Sequence, residues 1–195
     1  MFKKKNRGTR LASDSLNSYI QLNYRNPILL ESKLIAGFKP FLQENYGGTN
    51  DCTLCSISAI ASFKNDYQKP FERIYNKVAN VASTYCFNSE SFGTIPVFIK
   101  NIIDKSFHTK SKVRYLKNIG YTWSNLKTLL SNNIPVILSM NNDGRNYYIN
   151  HSVTIIGYLE YSNKCKMLMI YDNWYDTISY VDFNKLNTIS CINYF

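Results

Sequence analysis

The sequence predicts an α+β fold, with helices mostly in the front half of the chain and antiparallel strands mostly in the back half. Three observations support this: helically spaced apolar residues, proline or capping residues where segments begin, and short β-rich runs between polar turns. The chain has 195 residues, 45% of them hydrophobic and 15% aromatic. This length and composition allow one sizeable core.

The first predicted helix of the core runs from about Cys52 to Phe63 and is apolar nearly all round, which is typical of a buried helix. Asp51 or Asn50 suits its cap position. Each later helix has one apolar face, and proline suits the first helical turn. These three helices are expected to begin near Pro70, Pro96 and Thr122.

The character of the chain changes after Pro135, where β-branched and aliphatic residues form short runs. Polar turns at 142–144 and 162–164 separate some of these runs, as in antiparallel hairpins. The predicted strands cover residues 136–138, 153–158, 166–171 and 177–181.

Positive charge is concentrated at the N-terminus. The formal net charge is +10, and five basic residues lie within the first ten positions. We predict a loose basic arm over residues 1–26, with at most one short helix around Leu16–Leu22, followed by a single domain over 27–195. No second basic stripe follows, so nucleic acid is not an expected partner, except through contact with the arm.

The sequence has no apolar run of membrane-spanning length and no signal peptide, which predicts a cytoplasmic protein. Its five cysteines are odd in number and irregularly spaced, which argues against a disulfide framework. The pair Cys52 and Cys55 has the spacing of a redox or zinc motif. However, no second ligand pair is suitably spaced, and a loop precedes the pair. We therefore expect no metal and no cofactor.

Cys52 is the candidate nucleophile, because a thiol at the start of a helix gains from the unpaired N–H groups and the positive end of the helix dipole. Cys55 is the competing thiol. Of the two histidines, His108 lies in a polar stretch, whereas His151 begins an apolar strand and can act as a base.

Asp172 follows the next strand, and a hairpin would bring it beside His151. A carboxylate there could hold the tautomer and orientation of the imidazole. Asn173 is the rival for this role.

The region from about Pro40 to Tyr180 resembles papain-like cysteine peptidases, most closely the bacterial double-glycine leader peptidases, also called bacteriocin-processing peptidases, and their stand-alone relatives. The matching features follow one another with family-like spacing. They are Gln43, Asp51-Cys52, the small-residue stretch Ser56–Ala61, Trp123–Lys127, Ile134–Ile137, His151–Tyr158 and Asp172-Asn173-Trp174.

The resemblance implies a papain-like fold with Cys52 as nucleophile, His151 as base and then acid, and Asp172 as orienter. It also implies that Gln43 donates its side-chain amide to the oxyanion, beside the backbone N–H of Cys52.

Two assignments have alternatives. Gln43 lies further before Cys52 than in the family pattern, which requires an insertion at Gly47-Gly48, and Asn45 or Asn50 could replace it. In the register of papain itself, Cys55 would be the nucleophile, but the aspartate before Cys52 favours Cys52.

These residues predict a cysteine peptidase or amidohydrolase that acts on a peptide or acyl substrate through an acyl-thioester. A papain-like acyltransferase with the same triad and a catalytically inactive binding module of the same fold are the alternatives.

Overall fold

The computed structural model describes residues 10–46, 50–89, 93–140, 148 and 150–195. Within these ranges the chain forms five α-helices and nine β-strands. The helices are α1 (Ser13–Asn23), α2 (Cys52–Lys64), α3 (Phe71–Thr84), α4 (Ile99–Phe107) and α5 (Trp123–Ser131). The strands are β1 (Leu29–Leu34), β2 (Asn88–Ser89), β3 (Gly93–Thr94), β4 (Lys112–Tyr115), β5 (Val136–Met140), β6 (His151–Tyr161), β7 (Lys166–Tyr171), β8 (Ser179–Asp182) and β9 (Cys191–Tyr194).

Seven of these strands form one antiparallel sheet in the order β4-β9-β5-β6-β7-β8, and β1 pairs with β6. The N-terminal half of β6 pairs with β5 and its C-terminal half with β1, while β7 pairs with its other edge. β2 and β3 form a separate hairpin. An antiparallel sheet with helices packed on it confirms the predicted α+β class.

Helix α2 is the centre of the core. Its residues Thr53–Ser62 are all buried, because α2 packs against β5 and β6 on one side and against α3 on another. This environment explains why the sequence of α2 is apolar nearly all round rather than along one stripe. Cys52, the first residue of α2, is therefore held by a helix that cannot move without disturbing the core.

The helix predictions agree with the structure to within a few residues. Pro70 occupies the cap position of α3, and Pro96 begins a short 3-10 turn that leads into α4. Thr122 caps α5, and its side chain and that of Asn125 form a reciprocal capping box.

Five strands are not apparent from the sequence: β1, β4 and β9 of the main sheet and the two-residue strands β2 and β3. β1 lies at a sheet edge and exposes most of its side chains, so its sequence does not alternate between apolar and polar residues. β4 also lies at an edge and does alternate, but it has only four residues. β9 is buried between β4 and β5 but has only four residues, which is too short for a recognisable pattern.

In the part of the predicted arm that the structure describes, α1 (Ser13–Asn23) lies where the short helix around Leu16–Leu22 was expected, but the segment is not loose. From Arg10 onward this segment packs against β8: α1 buries Leu16, Tyr19 and Ile20, and the Leu11 carbonyl accepts a hydrogen bond from the Tyr180 N–H. The apolar spacing of this segment provides the driving force. The boundary at residue 26 stays a prediction, and the basic residues before Arg10 lie outside the described ranges.

The close approach of β1 to β6 requires a glycine at position 157. A Cβ at Gly157 would lie 2.3 Å from the carbonyl oxygen of Lys33 and 3.1 Å from the Cα of Leu34, both of them backbone atoms that cannot rotate away. Gly157→Ala should therefore lower the free energy of unfolding by about 1–3 kcal/mol, the usual cost of overpacking, as measured by urea denaturation.

Leu30→Ala is the matched control, because Leu30 lies on β1 but is 66% exposed. It should change the free energy of unfolding by less than about 0.5 kcal/mol. An unchanged urea midpoint for Gly157→Ala would contradict this account of the β1–β6 contact.

Candidate active site

Cys52 begins α2, and its neighbour Asp51 occupies the cap position of that helix. The Asp51 side chain does not cap α2. Its carboxylate accepts hydrogen bonds from the Tyr75 hydroxyl at 2.7 Å and from the Asn88 amide at 2.9 Å. The negative charge beside Cys52 is thus directed towards α3 and β2, away from the first turn of α2.

The surroundings of the Cys52 thiol favour its ionised form. The backbone N–H of Ser152 donates to Sγ at 3.4 Å, and the His151 side chain lies against the sulfur. Desolvation alone would raise the pKa of the Cys52 thiol. The His151 imidazolium and the Ser152 N–H outweigh desolvation, so that the pKa lies below its ordinary value.

Cys55 has the opposite environment. It is completely buried, and its thiol donates to the Phe41 carbonyl at 3.3 Å. Burial, together with the nearby Cys52 and Asp51, raises the pKa of Cys55 far above its ordinary value. The structure therefore favours Cys52 over Cys55 as the thiolate. The aspartate that precedes Cys52 in the sequence favours the same residue.

The other three cysteines lie elsewhere. Cys86 is exposed, whereas burial raises the pKa of Cys165 to about 12 and that of Cys191 to about 11. All five thiols are free, in agreement with the absence of a disulfide pattern in the sequence.

His151 is the first residue of β6 and is buried. Since Thr154 of β6 pairs with Tyr171 of β7, the start of β6 lies beside the end of β7. His151 Nε2 is 2.8 Å from the backbone carbonyl oxygen of Asp172. Burial by itself lowers the pKa of His151, but the Cys52 thiolate and the Asp172 carbonyl raise it by more. The pKa of His151 therefore lies above its ordinary value.

Two aromatic rings contact the imidazole and also lie against each other, with their centroids 5.7 Å apart. The Trp174 ring stacks on His151 with centroids 3.9 Å apart and planes 25° apart, and the Tyr148 ring lies 5.5 Å away. These rings restrict the imidazole to one plane. From the sequence, Trp174 was visible only as part of the Asp172-Asn173-Trp174 motif, and nothing indicated Tyr148. His108, in contrast, is an exposed residue at the C-terminal end of α4.

Asp172 contacts His151 through its backbone and not through its carboxylate, which corrects the contact expected from the sequence. The carboxylate is completely buried and has its own donors. Oδ1 accepts from the backbone N–H groups of Trp174 and Tyr175, both at 3.0 Å. Oδ2 accepts from the hydroxyls of Tyr148 and Ser179, both at 2.9 Å. The carboxylate thus stabilises the turn, and the turn aims the Asp172 carbonyl at the imidazole.

Asn173 does not orient the imidazole in this structure. Its backbone has a positive φ of 63°, and its side-chain amide donates to the Cys52 carbonyl at 3.0 Å, the Ser56 hydroxyl at 2.8 Å and the Ser152 carbonyl at 3.1 Å. Asn173 therefore joins the first turn of α2 to the start of β6. The sequence analysis missed this role, because it depends on three segments that are distant in sequence.

Gln43 lies beside the same turn. It is buried within a short 3-10 turn over Gln43–Asn45, and its backbone N–H donates to the Asn173 carbonyl at 2.8 Å. Asn45 is exposed and Asn50 is partly buried. The Gly47-Gly48 insertion expected from the sequence lies outside the described residues.

A chain of buried hydroxyls lies behind the thiol. Thr53 donates to Ser152 at 2.8 Å, and Ser152 and Ser139 share a hydrogen bond of 2.9 Å. The chain links α2 to β6 and β5. No signal in the sequence could have identified it, because each residue lies on a different element.

Across the ranges described above, no group of three or more His, Cys, Asp and Glu side chains is placed to hold a metal ion. None of the helices in those ranges has the length and apolar character needed to cross a membrane.

A comparison with protein-family models matches residues 35–189 to the model described as "Peptidase_C39 like family". A comparison with curated proteins found no match. The matched region contains Cys52, His151 and Asp172, and it covers α2 and five of the seven strands of the main sheet completely, from β4 to β8. Because the match extends over most of the chain and agrees with the observed papain-like α+β architecture, the chain belongs to the Peptidase_C39 like family.

Proposed function

We propose that the protein is a cysteine peptidase or amidohydrolase that cleaves an amide bond through an acyl-thioester on Cys52. One observation carries the proposal: the Cys52 thiol at the start of α2 lies against His151, whose Nε2 is held by the Asp172 carbonyl. Membership of a peptidase-like family supports a peptide substrate.

The geometry supplies the proton transfers. Because Nε2–H donates to Asp172, Nδ1 is the nitrogen left for the thiol, and it accepts the Cys52 proton to give a thiolate and an imidazolium. The thiolate attacks the substrate carbonyl carbon, and the imidazolium then donates its proton to the leaving amine. A water molecule, deprotonated by the imidazole, attacks the thioester and releases the acid and the free thiol.

Negative charge develops on the substrate oxygen during both attacks. We assign its stabilisation to the backbone N–H of Cys52 and to the side-chain amide of Gln43, which is buried beside the Asp172-Asn173 turn. The Trp174 ring shields the imidazole from water and so strengthens the ion pair.

The reaction itself is tested by incubating the full chain with a peptide mixture and identifying products by mass spectrometry, with Cys52→Ala as the blank. New peptide termini that form only with intact Cys52 would support hydrolysis. Products that form only when an amine is added would indicate the acyltransferase instead. The absence of both, together with saturable peptide binding, would indicate the binding module.

Cys52 should be the first of the five cysteines to react with iodoacetamide, and it should do so at pH 6. The reason is that its pKa is lowered while that of His151 is raised, so the ion pair persists between the two values. Mass spectrometry of peptides after timed alkylation measures this.

His151→Ala should remove the reactivity of Cys52 at pH 6, whereas His108→Ala, at an exposed helix end, should leave it unchanged. Faster labelling of Cys55 or Cys86 than of Cys52 would refute the assignment of the nucleophile.

Asp172→Asn should lower kcat without abolishing it, because an amide oxygen can still accept the two backbone N–H bonds that shape the turn. Asp172→Ala removes the shared acceptor of four donors, two of them buried hydroxyls, so we expect much larger losses of activity and of stability, the latter by roughly 3–5 kcal/mol.

Initial rates and urea denaturation measure both variants. Asp176→Ala, at an exposed position of the same loop, is the control and should leave both measurements near wild type. Equal effects of the two Asp172 variants would contradict a role for the carboxylate in shaping the turn.

Gln43→Ala should lower kcat on the order of 10²–10³-fold with little change in KM, because an oxyanion donor acts only as charge develops on the substrate. Alkylation of Cys52 should remain fast. Asn45→Ala, at an exposed position of the same 3-10 turn, is the control. An unchanged kcat for Gln43→Ala would move the donor role to Asn50 or to the backbone.

A further inference from the structure

Arg10 makes a dense set of contacts with the loop that follows Asp172. Its Nε donates to the Ser179 hydroxyl at 2.7 Å, and its Nη2 donates to the carbonyl of Ile178 at 3.0 Å and to both the carbonyl and the hydroxyl of Thr177. The guanidinium carbon also lies 4.4 Å from the centre of the Tyr175 ring. One side chain thus engages four residues of the loop.

The contacts of Arg10 continue into the candidate active site. The Ser179 hydroxyl that accepts from Arg10 donates to Asp172 Oδ2 at 2.9 Å. The Tyr175 N–H, on the residue beneath the guanidinium, donates to Asp172 Oδ1 at 3.0 Å. Two of the four donors to the Asp172 carboxylate therefore belong to residues that Arg10 holds.

The backbone around Arg10 is anchored to the same region. Ala12 forms an isolated bridge with Ser179, and the Leu11 carbonyl accepts from the Tyr180 N–H. This fixes the distance between Arg10 and the loop. The segment precedes residue 35, where the family match begins, so the contact is a feature of this chain beyond the matched region.

We infer that Arg10 is a positioning residue for the active site: by holding the 175–179 loop, it fixes the Asp172 turn whose carbonyl orients His151. The inference rests on the proposed function, because it assigns Arg10 an effect on the Cys52–His151 pair.

The shape of the guanidinium matters more here than its charge. Nε donates to the Ser179 hydroxyl while Nη2 donates to the Ile178 carbonyl, and an ammonium group cannot make both hydrogen bonds from one position. Lysine at position 10 would keep the positive charge but lose the paired donors Nε and Nη2.

Within the part of the chain that the structure describes, four ionisable side chains surround the imidazole or its Asp172 partner. Cys52 faces it from α2 and Asp172 from the end of β7, while Tyr148 and Arg10 lie behind the Asp172 carboxylate. Burial and Asp172 raise the pKa of Tyr148, and Arg10 opposes that rise. The Tyr148 hydroxyl thus stays protonated and continues to donate to Asp172.

The test measures the rate of Cys52 alkylation by iodoacetamide between pH 5 and 9 in the full chain, for wild type, Arg10→Ala, Arg10→Lys and Ser179→Ala. Loss of one hydrogen-bonded ionic contact corresponds to a change on the order of 10-fold. At pH 6 we expect Arg10→Ala and Arg10→Lys to slow Cys52 alkylation by about this factor. The pH at which His151 loses its proton should be lower in both variants than in the wild type.

The slowing in the double variant Arg10→Ala/Ser179→Ala should be smaller than the product of the two single effects, because the two residues act in part through the same contact of Ser179 with Asp172. Arg25→Ala is the control, since Arg25 is an exposed arginine of the same segment. Should Arg10→Ala fail to fold, as judged by near-UV circular dichroism, Arg10→Lys and Ser179→Ala carry the test.

A wild-type alkylation profile for Arg10→Ala, even with a lower melting temperature, would overturn the inference and leave Arg10 a merely structural residue. A full wild-type rate for Arg10→Lys would also overturn it, since charge would then be sufficient. If wild-type Cys52 itself does not react at pH 6, the proposed function fails, which is a distinct result.

Discussion

A carboxylate that is removed from water must find donors within the protein, and this requirement at Asp172 shapes the whole candidate site. Its four donors come from two backbone N–H groups of its own turn, from Tyr148 before β6 and from Ser179 at the start of β8. Only one conformation of the turn lets the carboxylate accept hydrogen bonds from all four donors. Leaving a buried charge unpaired costs roughly 3–5 kcal/mol, so alternative conformations of the turn are strongly disfavoured.

The same turn also joins the nucleophile to the base. The Asp172 carbonyl meets His151 on β6, while the next residue, Asn173, donates to the Cys52 carbonyl on α2 and to the Ser152 carbonyl on β6. Two consecutive residues thus set the distance between α2 and the start of β6. The thiol and the imidazole belong to rigid elements, and a short hydrogen-bonded segment holds those elements in register.

Much of the fold, and the placement of the candidate residues Cys52, His151 and Asp172 at the ends of their elements, could be predicted from the sequence, because both depend on local signals. The all-round apolar pattern of α2, the strand that begins at His151 and the position of Asp172 after β7 are visible in short stretches. The contact between the Asp172 carbonyl and His151 could not be predicted. It depends on the turn conformation, including the positive φ of Asn173, which no residue type specifies uniquely. Arg10 and Tyr148 were missed because their partners are distant in sequence.

The uneven environments of the five thiols bear on how the protein would respond to oxidants. Burial keeps Cys55, Cys165 and Cys191 protonated, and a protonated thiol reacts slowly with peroxide. Cys52 combines partial exposure with a lowered pKa, so we expect it to be oxidised to a sulfenic acid before these three buried thiols. Cys55 lies on the same helix but is buried and hydrogen-bonded to the Phe41 carbonyl, so we expect it to be a poor resolving thiol for a Cys52 sulfenic acid.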